Sequence, residues 1–107
     1  MSSDRTQDLR HKLRADLGTG RWVLLAPHAG RGALILVARE LELLDVAVAI
    51  AKDETSIVRG WLEAGHLRKP AQADLERFDG HQQTFFQFVV VSPFVVAKEI
   101  STAHVGP

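Results

Sequence analysis

The chain has 107 residues, 46% of them hydrophobic, no cysteine, and equal numbers of acidic and basic side chains. That length is one domain, 1–107, with a modest core. Without cysteine there is no disulfide scaffold, no thiolate zinc site and no cysteine nucleophile. With zero net charge at pH 7 there is no overall attraction to the phosphate backbone.

The polar N-terminus, Met1-Ser-Ser-Asp-Arg, reads as neither a signal peptide nor a transit peptide. No apolar run approaches the ~20 residues of a membrane span. A soluble, cytoplasmic protein without membrane contact is expected.

In chain order, Asp4 to Leu17 reads as an amphipathic helix within an N-terminal segment 1–20. Leu9, Leu13 and Leu17 form a narrow apolar stripe, and Arg10, Lys12 and Arg14 face elsewhere. Gly18-Thr-Gly20 is expected to end it. Trp22 to Ala29 reads as a short helix or turn, because Pro27 lacks the N–H that a helix interior needs. Ala33 to Ala38 has no polar residue and predicts a central strand buried on both faces.

Leu43 to Lys52 predicts a largely buried helix, with Leu43, Val46, Ala47 and Ile50 on one face. Asp53 is the expected N-cap of the next helix. Ile57, Val58, Trp61 and Leu62 form its expected buried stripe, and Gly65 its left-handed cap. His66-Leu67-Arg68 reads as a short strand and Ala71 to Asp79 as a helix with Leu75 and Phe78 inward. His81 to Gln83 reads as a loop. Phe85 to Val91 is rich in aromatic and β-branched residues and predicts a strand. Ser92-Pro93 must bend it, and Phe94 to Ala97 is expected to resume as an edge strand. Residues 101–107 read as a loose tail.

The two central helices have the spacing of a helix-turn-helix, with Ala47 at the small-residue position and Ile57 ten residues later. The expected fold is therefore α+β: four to five helices, a small mixed or antiparallel sheet, and a winged-helix-like core. Outward positions Glu54, Thr55, Arg59 and Glu63 are a poor reading surface for base edges and phosphates, so nucleic-acid binding is the weaker reading.

The candidate catalytic and metal-binding residues each have a bland explanation. His11, His28, His66, His81 and His104 never fall three or four apart, so no two share a helix face as metal ligands. Glu40, Glu42 and Asp45 cluster at a helix start, where the dipole favours negative charge. Ser56 and Ser92 have no base nearby in sequence. No cofactor or metal is implied, and an enzyme with a carboxylate site is the third reading.

The ordered set Trp22, Gly32, Leu41-Glu-Leu-Leu-Asp-Val-Ala47, Asp53, Trp61-Leu62 with Gly65, and Val89-Val-Val-Ser-Pro93-Phe94 resembles a family of short bacterial proteins, domain of unknown function 2288. The resemblance runs from Trp22 to Glu99. It departs at Pro27 and Gly30, at Glu42 where Asp is usual, and at Phe94 where Trp is usual. It implies the α+β fold and no catalytic residue or ligand.

A non-enzymatic interaction or regulatory module that forms a homodimer is the leading expectation. Alternation in the last long strand puts Phe86, Phe88 and Val90 on one face and Phe85, Gln87, Val89 and Val91 on the other. The second face is the expected self-association surface.

Overall fold

The computed structural model describes residues 2–80 and 84–100, with side chains from Thr6 onward. Its elements are helix α1 (Ser2–Ala15), strand β1 (Gly18–Arg21), α2 (Trp22–Gly30), β2 (Leu34–Val37), α3 (Leu43–Ala51), α4 (Thr55–Glu63), β3 (Leu67–Arg68), α5 (Gln72–Gly80), β4 (Phe85–Val91) and β5 (Phe94–Ile100). The strands form one mixed sheet in the order β1-β4-β5-β2-β3. Only β2 and β5 run parallel, with Leu34 opposite Val95 and Leu36 opposite Ala97.

Helices cover both faces of this sheet. On one side α1, α3 and part of α4 lie over Val37, Val89, Val91 and Val96. On the other, α2 and α5 lie over Leu34, Leu36, Phe86, Val95 and Ala97. Successive residues of β2 therefore feed opposite cores. This is why Leu-Ile-Leu-Val has no polar position, as the sequence predicts for a strand buried on both faces.

The second core is built on three rings. Trp22 is 3% exposed. Its ring lies 4.8 Å from Phe78 and 5.9 Å from Phe86, and Phe78 meets Phe86 edge-on at 5.0 Å. Tilted and T-shaped contacts of this kind suit the ring quadrupoles. The indole Nε1–H donates to Asp79 Oδ1 at 2.9 Å, so burial leaves no polar atom unpaired.

Several expectations need correction. The Gly18-Thr-Gly20 stretch is strand β1, paired antiparallel to β4 at the sheet edge. The glycines admit neighbouring side chains: a Cβ on Gly18 would stand 2.8 Å from the Phe88 ring. Trp22–Gly30, by contrast, is a helix, one of the two forms expected there, and it forms with Pro27 inside it at the cost of one N–H donor. β5 is an interior strand between β4 and β2, not an edge. It continues directly from β4 through the two-residue Ser92-Pro93 turn, whose peptide bond is cis.

Asp53 does not cap α4. It has φ 57° and closes α3: its N–H donates to Ile50 O at 3.0 Å and the Glu54 N–H to Ala49 O at 2.9 Å. That is the left-handed 6→1 and 5→2 ending usually made with glycine. Gly65 ends α4 in the same way, as expected. The α4 N-cap position is Glu54, which makes no side-chain capping bond.

The stripe on α4 is only partly buried. Val58 and Trp61 pack half-buried against the first core, while Ile57 is 47% and Leu62 51% exposed. A winged-helix-like core is not confirmed, since the strands after α4 belong to a five-stranded sheet covered on both faces. The expected loop 81–83 and tail 101–107 lie outside the described residues.

The two tryptophans separate these accounts experimentally. Trp22→Ala should cost about 3–5 kcal/mol, the range for emptying a large aromatic core site. Trp61→Ala, at a half-buried position, should cost about 1–2 kcal/mol, below the full-burial range. Equal losses in chemical denaturation would contradict this placement.

Candidate functional site

The described surface has a large apolar concavity. It lies between α4 and the β4–β5 turn and has a volume of about 600 Å³, within the ordinary range of binding clefts. Ile35, Ile50, Val58 and Phe94 line it together with Leu62 and Pro93. Its polar groups are Asp53, Glu54, Thr55, Arg59 and Ser92.

Local sequence explains why this cleft exists. The left-handed ending at Asp53 turns the chain sharply from α3 into α4. α4 then rests on the first core through Val58 and Trp61 alone and has no fully buried residue. Its other apolar side chain at the cleft, Leu62, is left half in solvent. The β4–β5 turn brings Pro93 and Phe94 up to form the facing wall.

Charges at the cleft are not all matched. Glu54 stands 3.8 Å from Lys52. Among the described residues neither Asp53 nor Arg59 has an ion-pair partner.

The carboxylates singled out from sequence lie elsewhere, and two of the three, Glu42 and Asp45, are engaged. Arg10 of α1 donates to Asp45 at 2.8 Å and also to Glu42, tying α1 to the start of α3. These acids hold the guanidinium in its charged form, and the hydrogen bond that Asp45 accepts from it is the largest cause. The N-terminal helix thus spends part of its basic face inside the monomer. Glu40 is exposed at the preceding turn. Among the described residues no three His, Asp or Glu side chains converge as a metal site would require. Ser92 lines the cleft, but no histidine does; Ser56 is exposed.

The expected self-association face does not stand open. Val89 is 0% and Val91 8% exposed, both inside the first core beneath α3. Phe85 and Gln87, on the same face, are half-buried, and Arg21 stacks over the Phe85 ring at 5.3 Å. The physical reason is that α1 and α3 cover this side of the sheet. Val89 and Val91 are thus closed to a second copy, whereas Phe85 and Gln87 keep part of their surface exposed. Val90, on the opposite face, is the exposed member of the strand.

A second polar group joins the far edge of the sheet to α5. Arg68 of β3 donates to both oxygens of Asp74, one contact at 3.1 Å, and Asp74 also accepts the Ala71 N–H at 2.9 Å. The latter bond reaches back to the helix start like the acid of a capping box. Arg77 bridges to Glu99 at 3.4 Å and lies over the Phe78 ring. The cavity beside this network has a volume of only about 70 Å³, too small for an organic ligand. It is a clamp, not a site.

The architecture is a three-layer α+β domain with a five-stranded mixed sheet. A family model described as a protein of unknown function, domain of unknown function 2288, matches residues 8–99, and the chain belongs to that family. The chain is also similar to PA1075 from Pseudomonas aeruginosa, known from a solution NMR structure. The two share 33% identity with a TM-score of 0.75, over 94% of this chain and 90% of that one. No curated protein matches.

The Arg68 guanidinium, through its hydrogen bonds, holds the Asp74 carboxyl below the usual carboxylate range, and the Ala71 N–H adds to this. A depressed folded-state pKa contributes stability above the unfolded pKa and loses it as pH falls through the folded one. Asp74→Asn should therefore lower stability by about 1–2 kcal/mol at neutral pH. The gap to the unaltered protein should begin to narrow as pH falls below about 4, where the unfolded carboxyl protonates, and close only beneath the depressed folded-state value. A gap constant from pH 7 to pH 2 in denaturation curves would show that the charge is irrelevant.

Proposed function

We propose that this chain is a non-enzymatic interaction module that works as a homodimer, acting by contact with other polypeptide surfaces. The observation that carries this reading is α4. A nine-residue helix in a small domain has no fully buried side chain and holds open an apolar cleft on the surface. An exposed patch of this kind on a soluble domain favours an interaction site over a bare surface.

The chemistry of the described residues supports contact over catalysis. The acids that would form a carboxylate site are neutralised by Arg10. The cleft offers one arginine, two hydroxyls and two acids, with no histidine to move a proton. Duplex binding is disfavoured because Glu54 and Glu63 flank the single arginine of α4.

Sedimentation equilibrium at micromolar concentration tests the reading. The expected species has twice the 11.8 kDa mass of the chain. A monomer throughout that range would overturn self-association.

A further inference from the structure

We infer that the occupant of the α4 cleft is the α4 region of a second copy, paired antiparallel about a two-fold axis. Arg59 of each copy then lies against the partner's Asp53. This rests on the reading that the chain self-associates, and it names the surface.

The argument is one of charge and direction. The cleft has an apolar floor, so its occupant brings apolar side chains. α4 itself presents two, Ile57 and Leu62, about half exposed. The cleft also has one acid and one base without ion partners among the described residues, Asp53 just before α4 and Arg59 within it. An anionic small molecule drawn to Arg59 is repelled by Asp53, and a cationic one meets the reverse. Both are satisfied together by an occupant carrying the same two charges in the opposite order along its length. This chain presents that order when its own α4 enters antiparallel.

Two-fold symmetry makes the contact reciprocal: each ion pair forms twice, and each Leu62 is covered by the other copy. Both charged residues are exposed in the monomer, so neither is removed from the core by docking. Parallel pairing would instead set Asp53 beside the partner's Asp53 and Arg59 beside the partner's Arg59. Like charges across an interface suppress that arrangement.

Charge reversal in the full chain is the test, read by sedimentation velocity at micromolar concentration. Arg59→Glu places an acid against the partner's Asp53 and should weaken the dimer about tenfold or more. Asp53→Lys should do the same, and mixing the two variants should restore a mixed dimer. Because Asp53 is left-handed, circular dichroism must show Asp53→Lys folded. If it is not, Asp53→Asn, which tolerates that backbone, must weaken the dimer, and Leu62→Lys must abolish it. A dimer unaffected by Arg59→Glu overturns this interface while leaving self-association intact through another surface. A monomeric unaltered protein overturns both.

Discussion

The parallel pairing of β2 with β5 is the constraint on which the rest of the molecule depends. Two parallel neighbours cannot be joined by a tight turn; the intervening chain must leave the sheet and return. Here that excursion contains α3, α4, β3, α5 and β4. It supplies α3 to one face and α5 to the other, so Val37 is buried against α3, and Leu34 and Leu36 against α5 together with the preceding α2. Without that pairing β2 would be bonded only to the two-residue β3, and one row of its backbone N–H and C=O groups would be left unpaired.

Much of this was legible in the residues, for identifiable reasons. The unbroken apolar run in β2 announces a strand buried on both sides, and Phe85–Val91 announces its own length exactly as the alternation of large apolar residues suggests. Other features were hidden because they depend on partners distant in sequence. Gly18 and Gly20 look like a helix terminator until Phe88 is seen lying over them. Asp53 looks like a cap because its residue type favours caps, yet aspartate also tolerates the left-handed backbone, and the ending of α3 claims it. Phe85 to Val91 shows two apolar faces, but nothing local says that α1 and α3 cover the one bearing Val89.

The cleft was concealed by the same limit. Periodicity identifies the apolar side of α4 correctly but says nothing of how closely another element approaches it. In the fold, Val58 and Trp61 touch the core while Leu62 overhangs a gap whose far wall comes from residues some thirty positions later, Pro93 and Phe94. A helical stripe of four apolar residues is thus divided between packing and surface. The resemblance noted in the sequence spans both walls, and the family match does too.

The placement of the aromatic residues has a consequence for observing this protein. The chain contains two tryptophans and no tyrosine. The sheet separates them: Trp22 belongs to the α2–α5 layer and Trp61 packs on the α1–α3 layer. Their emission is therefore a pair of intrinsic reporters, one for each side of a single sheet. Trp61 stands on the helix that borders the cleft, while Trp22 is sealed behind Phe78 and Phe86. Replacing either with phenylalanine isolates the other optically, so binding at one side and loosening of the other can be followed as separate signals without any attached label.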